Sequence, residues 1–366
     1  MSGAPDIAIL LDHFGSGGVE RVACLLASGL AERGLAVEIV VLADEGPARA
    51  LLSDKVAVRV LGGAGGRRGR RMRAAVPGIA EYLRERQPRL FHAPGNHTIR
   101  PAGAAVARAG YRGAFVAKVT NPLLDERLPP WERAWRRWSF GRALGRATQV
   151  LVLSERGVDE VAAVRGALRA RCRAMHNPYV SDAMLARAAE RRPVSPPVIL
   201  SVGRLREQKN QALLLRAAAR LKDRDWRVRL CGSGPDEAAL RALAAELGIA
   251  ERVEFAGFIA DPVPEYIGAT VLAQSSRWEG LPATVLEAIA CGCPVVATAS
   301  SPALVDLLRE VGAREAVPRD DEAGFAAALA EALDGRLPEV APKAAWPYGI
   351  EASLDEHAAV FRALLA

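Results

Sequence analysis

Short apolar runs alternate with longer amphipathic stretches along the whole chain. The apolar runs of the first half, each bounded by polar or turn residues, lie at positions 7–11, 36–42, 56–61, 90–93, 114–119 and 149–153. The alternation returns in the second half, with runs at 197–203, 226–231, 253–255, 270–274 and 294–297. Such runs predict strands, and the stretches between them predict helices. Strands that alternate with helices are typical of parallel sheets, so we expect two doubly wound α/β domains with right-handed crossovers.

A Pro-rich segment without a hydrophobic pattern separates the two series. Residues 190–197 read ERRPVSPP, which is typical of a linker. We therefore expect a first domain over residues 1–189 and a second over 190–350. The final residues, 351–366, predict one amphipathic helix.

Composition excludes several classes of protein. Half of the 366 residues are hydrophobic and a quarter are charged, which excludes a disordered chain. No apolar run reaches the roughly 18 residues of a spanning helix, and the first residues lack the basic start of a signal peptide. The five cysteines show no metal-binding spacing, so we expect reduced thiols and a cytoplasmic location.

Charge is unevenly distributed along the chain. Residues 1–180 contain 28 Arg and Lys against 16 Asp and Glu, whereas residues 181–366 contain 21 against 26. The first half is therefore expected to meet an anionic partner. Two segments concentrate the positive charge: 62–73, a Gly-Arg stretch interpreted as a loop, and 131–146, where three Trp lie at helical spacing among Arg. A membrane interface suits Trp and Arg on one helix, which extends the expected location to the inner face of a membrane. Packing of the Trp against the domain is the alternative, and no motif supports nucleic acid.

Residues 275–298, SSRWEGLPATVLEAIACGCPVVAT, place two carboxylates near one helix start. Glu279 precedes the predicted helix, and Glu287 lies on its early part. Gly280 permits close approach of the backbone to a ligand, and Pro282 suits a first helical turn. The N–H groups of residues 280–284 then form an anion site at the helix start. The carboxyl ends of parallel strands are where α/β folds bind ligands, so we expect both carboxylates to serve one site.

Cations and glycines follow two other predicted strands of the second half. Arg204 and Lys209 come after the strand that ends near Gly203, and two cations at such a place suit a diphosphate. Gly232 and Gly234 follow the next strand, where a Gly-x-Gly turn by itself is weak evidence of a ligand.

These segments resemble motifs of retaining GT-B glycosyltransferases of family 4, the glycosyl transferases group 1. The resemblance rests on E-G-L-P-x-x-V-L-E, G-R-L-x-x-x-K-N and G-x-G-P. It implies two Rossmann-like domains facing across a cleft, with the last helix packing back on the first domain. It implies that Glu279 touches the donor sugar, that Glu287 holds the ribose, and that Arg204 and Lys209 neutralise the leaving diphosphate. Other donor-site residues that it implies are Gly203, Gly232, Gly234, Phe258, Gly280, Leu281, Pro282 and Thr284.

The resemblance extends to the first half. H-F-G-S-G-G-V-E-R is similar to the family's first loop, so Gly17 and Gly18 are expected to approach the transferred phosphate. Many relatives carry V-H-A-H after a later strand, whereas this chain has Pro94 at the second His position. We expect His97 to take over that catalytic position, with a packed or solvated His as the alternative.

Acceptor candidates come from two further strand ends. They are Lys118, Asn121 and Ser154. No metal or cofactor is expected, because the lone D-x-D, Asp223 to Asp225, precedes a strand and is interpreted as a solvated turn.

The predicted function is transfer of a sugar from a UDP- or GDP-sugar to a hydroxyl acceptor, a lipid-linked or polysaccharide-precursor glycan. Two alternatives remain open. One is a nucleotide-sugar epimerase or hydrolase of the same fold. The other is a non-catalytic partner subunit that retains donor binding. Release of nucleoside diphosphate with the sugar found on an acceptor separates the first function from both.

Overall fold

The computed structural model describes residues 3–15, 17–62, 68–125 and 128–366. The chain divides into two compact units, Met1–Pro178 with Ile350–Ala366, and Tyr179–Gly349. The Pro-rich segment 190–197 lies within the second unit rather than at its border. Arg191 holds it there, because its Nε donates to the Gly292 carbonyl at 2.7 Å and its Nη2 to the Thr270 carbonyl at 3.1 Å.

The first unit contains one parallel sheet. Its strands are β1 (Ile7–Leu11), β2 (Val37–Val41), β3 (Ala57–Val60), β4 (Leu90–Ala93), β5 (Ala114–Lys118), β6 (Gln149–Val152) and β7 (Cys172–Ala174). Its helices are α1 (Gly18–Glu32), α2 (Arg68–Ala74), α3 (Val76–Arg86), α4 (Asn96–Ala109), α5 (Pro130–Leu144) and α6 (Glu155–Val164). Among the described residues the strand order is β3-β2-β1-β4-β5-β6-β7, and every pair is parallel.

Buried strands explain why this sheet forms. Every residue of β1 and β2 is buried, as expected for a parallel sheet with helices on both faces. The edge strands β3 and β7 are more exposed. Strand β7 was not predicted, because Arg173 at its centre interrupts the apolar residues.

The second unit repeats the architecture. Its strands are β8 (Val198–Val202), β9 (Arg227–Cys231), β10 (Val253–Gly257), β11 (Val271–Gln274) and β12 (Val295–Ala297). Its helices are α7 (Asp182–Arg187), α8 (Gln211–Ala219), α9 (Glu237–Glu246), α10 (Val263–Gly268), α11 (Ala283–Ala290), α12 (Pro302–Glu310) and α13 (Glu322–Leu333). The described strands pair in parallel in the order β10-β9-β8-β11-β12. Two parallel-sheet α/β units are thus confirmed.

The last helix, α14 (Ile350–Leu365), packs on the first unit. Its apolar face joins the core that α1 forms with the sheet, and Leu354 and Phe361 are buried there. Gly29 of α1 makes this approach possible, because a Cβ at that position would lie 2.4 Å from the Leu354 side chain. Arg33 adds ion pairs to Glu351 and Asp355, each at 2.8 Å.

The Gly-Arg stretch 62–73 is not a loop throughout. Residues 63–67 lie outside the described residues, but α2 begins at Arg68. Met72 is buried, and Arg71 donates to Asp12 from Nε at 2.7 Å and from Nη2 at 2.6 Å. One buried side chain and one buried ion pair therefore hold these residues as a helix. In the described part of the chain, no helix combines the length and the apolar character needed to cross a membrane.

Candidate functional site

Four loops meet at the edge of the second sheet where its strands end, called here the donor edge. They follow β8, β9, β11 and β12. Backbone hydrogen bonds connect them: Leu205 N to Ser233 O at 3.0 Å, Arg277 N to Gln208 O at 2.8 Å, and Glu279 N to Ser300 O at 3.1 Å. The loops that carry the predicted donor residues therefore form one structure.

Glycine is required where the first two of these loops cross. Gly232 has φ +153°, and a Cβ there would lie 1.9 Å from the Gly203 carbonyl oxygen. Gly234 is similarly close to the next loop residue, with a Cβ position 2.2 Å from the Leu205 carbonyl oxygen. The Gly-x-Gly turn therefore serves loop packing.

An ion pair lies at the centre of the donor edge. Lys209 Nζ is 2.7 Å from Glu279 Oε1, and both side chains are largely buried. The Lys209 side chain lies against Gly203, whose Cβ position would be 3.1 Å from Lys209 Cε. Arg204 lies on the same loop with an exposed side chain. The two adjoining loops thus carry Arg204, Lys209 and Glu279, together with Arg206 and an Arg277–Glu207 ion pair at 3.1 Å. The loop ends at Asn210, the N-cap of α8.

Three neutral donors orient the Glu279 carboxylate. Ser276 Oγ donates at 2.8 Å, Gln274 Nε2 at 3.4 Å and Gln208 Nε2 at 3.5 Å. These partners were missed from the sequence. The sequence does contain one indication of them, because Gln274 is a polar residue at the end of an otherwise apolar, buried strand.

Glu287 has a different environment. It is buried on α11, where Tyr266 Oη donates to its carboxylate at 3.0 Å. Burial, with the adjacent Glu287 charge, raises the pKa of Tyr266 well above its ordinary value, so the phenol remains a donor. The two carboxylates therefore have separate partners on the same edge.

The residues between the two carboxylates are fixed by neighbouring groups. Pro282 is the N-cap of α11, one position before the helical turn in which it was predicted. Ser301 Oγ donates to the Gly280 carbonyl, and Tyr179 Oη donates to the Leu281 carbonyl at 3.3 Å. Thr284 Oγ1 donates to Gln274 Oε1 at 3.3 Å. This leaves the N-terminus of α11 in a defined place on the donor edge.

Two further groups on this edge are available to a ligand. Phe258, just after β10, is 63% exposed. The Ser300 hydroxyl is buried and has no hydrogen-bond partner among the described residues. Sequence reasoning missed Ser300, because nothing in SSPALVD distinguishes it from the helix cap Ser301.

The corresponding edge of the first sheet carries most of the site residues predicted from the first half. Gly17 is the N-cap of α1, Gly18 is its first residue, and His97 is the second residue of α4. The starts of the two helices adjoin, because a Cβ at Gly95 would lie 2.8 Å from Val19 Cγ1.

Two other candidates have structural partners at this edge. Asn96 Nδ2 donates to the Asn121 carbonyl at 2.8 Å, which ties the segment after β5 to α4. Ser154 Oγ accepts from the Gly157 amide at 3.3 Å, so this hydroxyl caps α6.

Lys118 differs from its predicted position at the solvent-facing edge. It is 1% exposed, and its Nζ donates to Asn177 Oδ1 at 2.5 Å and to His357 Nε2 at 3.1 Å. His357 can accept because its Nδ1–H donates to the Ser353 carbonyl at 2.7 Å. Burial lowers the pKa of Lys118 to about 7. The strand end lies where predicted, but α14 covers it.

No group of three or more metal-ligating side chains occurs among the described residues. Asp223 and Asp225 are exposed in the turn before β9. Arg204 and Lys209, the cations predicted for a diphosphate, both lie on the loop after β8.

Two family models match successive parts of the chain. Glycosyltransferase Family 4 matches residues 16–182, and Glycosyl transferases group 1 matches residues 184–345.

A Campylobacter jejuni protein is similar over a limited stretch. N-acetylgalactosamine-N,N'-diacetylbacillosaminyl-diphospho-undecaprenol 4-alpha-N-acetylgalactosaminyltransferase is 36% identical over 128 residues, covering 35% of each chain. The chain spans about a third of the length of the first curated relatives that it matches.

Solved structures are similar over nearly the whole chain. WaaG, a glycosyltransferase involved in lipopolysaccharide biosynthesis, superposes with a TM-score of 0.74 at 17% identity, covering 97% of this chain and 99% of WaaG. HepE of Anabaena, in complex with UDP and glucose, superposes with 0.72 at 19% identity, covering 98% and 97%. At such identities the likeness shows the fold alone, which is the GT-B fold predicted from the motifs. With both family models matched in order, the chain belongs to the glycosyl transferases group 1 family.

Proposed function

We propose that this protein is a retaining glycosyltransferase that moves a sugar from a UDP- or GDP-sugar to a hydroxyl of a lipid-linked or polysaccharide-precursor glycan. The observation that carries the proposal is the donor edge. There, Arg204 and Lys209 lie on one loop beside the oriented carboxylate of Glu279.

The reaction breaks the bond between the sugar C1 and the diphosphate oxygen and forms a bond from C1 to the acceptor oxygen. The acceptor proton passes to the leaving diphosphate, so no protein nucleophile or external base is required. Negative charge grows on the leaving oxygen in the transition state. Arg204, Lys209 and the N-terminus of α11 stabilise that charge, and such electrostatic stabilisation is usually a large catalytic effect.

The Lys209–Glu279 pair suits this role. An ammonium has three donors, so Lys209 can hold Glu279 and a phosphate oxygen together. The neutral donors Ser276 and Gln274 keep the carboxylate in place when a diphosphate competes for Lys209. Glu279 then accepts hydrogen bonds from sugar hydroxyls.

The nucleoside is assigned to the other side of the donor edge. Glu287 accepts hydrogen bonds from the ribose hydroxyls, and the exposed Phe258 ring packs on the base. The complex of HepE with UDP and glucose supports a UDP-type donor by fold alone. Charge neutralisation by side chains and backbone N–H groups means that no metal is required.

The acceptor is assigned to the first unit, with Asn121 as a candidate contact and His97 in the catalytic position. Gly17 and Gly18 at the same edge are assigned to the transferred phosphate. A lipid-linked acceptor is supported by the diphospho-undecaprenol in the name of the C. jejuni relative and by the positive charge of residues 1–180. We assign the protein to the cytoplasm, with peripheral contact at the inner face of a membrane.

The test is product analysis. UDP-, GDP- and ADP-sugars are first ranked by thermal shift, because a bound ligand stabilises the folded state. The best donor is then incubated with glycan acceptors, and the products are analysed by mass spectrometry and by NMR of the anomeric proton. Lys222→Met, which removes an exposed lysine of the second unit, is the control for Lys209→Met.

Each outcome decides between functions. Nucleoside diphosphate release with the sugar on the acceptor in its original configuration supports the proposal, if Lys209→Met abolishes it and Lys222→Met does not. Free sugar indicates a hydrolase, an isomerised nucleotide sugar indicates an epimerase, and binding without turnover indicates a partner subunit. An inverted linkage contradicts retention.

A further inference from the structure

Helix α5 exposes its largest apolar side chains. Trp131, Trp135 and Trp138 are 72%, 45% and 65% exposed, whereas Phe140 and Leu144 are buried. In the described part of the chain, no other element has more than one exposed large apolar side chain. A cluster of this kind on a protein surface marks an interaction site.

The three Trp side chains share one face. At about 100° per residue, positions 131, 135 and 138 fall within an arc of about 60°. Phe140 and Leu144 fall on the opposite side. An ordinary surface helix buries its apolar face and exposes a polar one. Packing of the Trp against the domain, the alternative left by the sequence, is therefore wrong.

The Trp face also carries positive charge. The helix has four Arg and one Glu, and that Glu132 pairs with Arg136 at 3.0 Å. Arg142 is exposed on the Trp face, one turn after Trp138. Arg133 and Arg137, at about 200° and 240° from Trp131, are exposed on the opposite side of the helix, the side of Phe140 and Leu144.

A neighbouring helix adds to this charge. The Arg100 guanidinium of α4 stacks on Trp135 at 4.5 Å and on Phe140 at 4.9 Å. Burial lowers the pKa of Arg100, and the charges of Arg136 and Arg73 lower it further. The like charges of α2, α4 and α5 are thus close enough to repel one another. An anionic surface would relieve that repulsion.

We propose that the Trp131–Trp135–Trp138 face of α5, with Arg142 and the stacked Arg100, docks on an anionic lipid bilayer. This deepens the peripheral membrane contact of the proposed function and rests on that part of it. Trp is favoured at the bilayer interface, and each Arg near an anionic leaflet gains attraction to it. A second copy of the chain fits less well, because a twofold interface would oppose these arginines to themselves.

The surface differs from the one expected from the sequence. Arg71 is bound to the buried carboxylate of Asp12, so its charge is already compensated. Arg67 and the side chain of Arg68 lie outside the described residues. The contact therefore centres on α5 rather than on the Gly-Arg stretch.

The experiment is co-sedimentation of the full chain with vesicles of phosphatidylcholine, with and without phosphatidylglycerol, in the absence of donor and acceptor. Trp131→Ser/Trp138→Ser is compared with Trp346→Ser, which removes a 52% exposed Trp of the second unit. Trp135 is kept, because it stacks on Arg100. We expect wild type and Trp346→Ser to bind acidic vesicles. The double variant should lose at least about tenfold in partition coefficient, because each ring removes roughly 100 Å² of apolar area from water.

A second pair of variants separates charge from ring insertion. Arg142→Ser should weaken binding to acidic vesicles, whereas Arg133→Ser/Arg137→Ser, on the opposite side of α5, should weaken it much less, and added salt should weaken that of wild type. The control Arg216→Ser/Arg227→Ser removes two exposed cations of the second unit and should change nothing. Quenching of Trp fluorescence by bromine-labelled acyl chains should be strong in wild type and weaker in the Trp double variant.

Three results would overturn the proposal. The first is that wild type stays in the supernatant in the presence of acidic vesicles. The second is that the α5 variants and their controls lose vesicle binding to the same extent. The third is a Trp-dependent dimer without lipid binding, which would assign the face to a second copy. Transfer to a water-soluble acceptor, measured in parallel, should match wild type in all these variants. Failure of transfer with intact vesicle binding would contradict the proposed function and leave the surface standing.

Discussion

At the scale of single residues, the partners of a side chain define its role more closely than its spacing does. Glu279 and Glu287 are eight positions apart, yet one is held by Lys209 and the other by Tyr266. Glu279 therefore lies beside the cation assigned to the diphosphate, and Glu287 lies on the side assigned to the nucleoside. Their substitution should have different kinetic consequences.

Glu287→Gln should weaken binding of the nucleoside diphosphate, whereas Glu279→Gln should mainly slow transfer. Ribose is common to substrate and product nucleotide, whereas the sugar contacts of Glu279 matter most as C1 is transferred. Calorimetric titration and steady-state kinetics measure the two effects, with Tyr266→Phe as the control for the Glu287 partner. Equal affinity of wild type and Glu287→Gln would refute this division.

Gly232→Ala should destabilise the second unit by more than about 3 kcal/mol, because its Cβ meets a carbonyl oxygen in addition to a strained backbone. Gly257→Ala is the matched control. It also has positive φ, +72°, but no atom lies within 4 Å of its Cβ, so it should cost only about 1 kcal/mol. Urea unfolding followed at the second unit measures both. Similar losses in the two variants would show that loop contact is unimportant.

Residues that belong to motifs could be predicted from the sequence, and residues defined by packing could not. Arg204, Lys209 and Glu279 were identifiable because residue type and strand end coincide. Gln208 and Ser300 act through loops that meet only in the folded unit. Lys118 was misplaced because the helix that covers it is 239 positions away in the sequence.

At the scale of elements, the contact of β5 with α14 depends on buried bases. Lys118 and His357 share a hydrogen bond there. His92 of β4 is fully buried beside them, with its ring 5.5 Å from Phe361 and its Nδ1 3.1 Å from the Val116 carbonyl. Burial, with the Lys118 charge, lowers the pKa of His92 to about 3. The pKa of His357 is lowered well below its ordinary value for the same reasons.

Acid should therefore loosen the first unit. Below about pH 6.5, His92 and His357 bind protons in the unfolded chain but stay neutral when they are buried in the folded unit. The free energy of unfolding therefore falls as the pH decreases. Lys118, with a folded-state pKa of about 7, adds to the same slope near pH 7 but little below about pH 6, where it is protonated in both states.

His92→Asn keeps an amide donor for Val116 and removes one titration. It should reduce the pH slope of the unfolding free energy by roughly 1 kcal/mol per pH unit. Urea unfolding at several pH values, with hydrogen exchange reporting on β5 and α14, measures the slope. Identical slopes in variant and wild type would contradict this account.

Elements with a strong pattern could be predicted, and those with mixed patterns could not. Fully buried strands such as β1 and β4 were located closely. The helix α2 was taken for a loop because Gly and Arg suggest solvent, whereas Met72 and the Arg71–Asp12 pair hold it. For α5 the periodicity predicted a helix with its three Trp on one face, but it did not predict whether that face packs on the core or is exposed.

At the scale of the whole molecule, the chain consists of two parallel-sheet units. The alternation of strands and helices was sufficient to predict both. The border between the units could not be predicted from the sequence, because the Pro-rich segment 190–197 packs within the second unit through Arg191. Proline content marks irregular backbone, and it does not tell whether that backbone is packed.

Activity should survive EDTA. The account places the neutralising charge on Arg204, Lys209 and backbone N–H groups, and the Asp223–Asp225 turn lies before a strand rather than at the donor edge. Transfer assays with and without chelator measure this. Complete loss, restored by Mg²⁺ or Mn²⁺, would contradict it.

The central claim is that Lys209, with Arg204, holds the diphosphate of the donor. Calorimetric titration of UDP and UMP, and of GDP and GMP, into wild type, Lys209→Met and Lys222→Met tests it most directly. For the preferred base, Lys209→Met should lose about tenfold to a hundredfold in affinity for the diphosphate, because a charge-assisted hydrogen bond is removed. It should lose much less for the monophosphate, and Lys222→Met should match wild type with both. Equal losses for monophosphate and diphosphate, or undiminished diphosphate binding by Lys209→Met, would contradict the account.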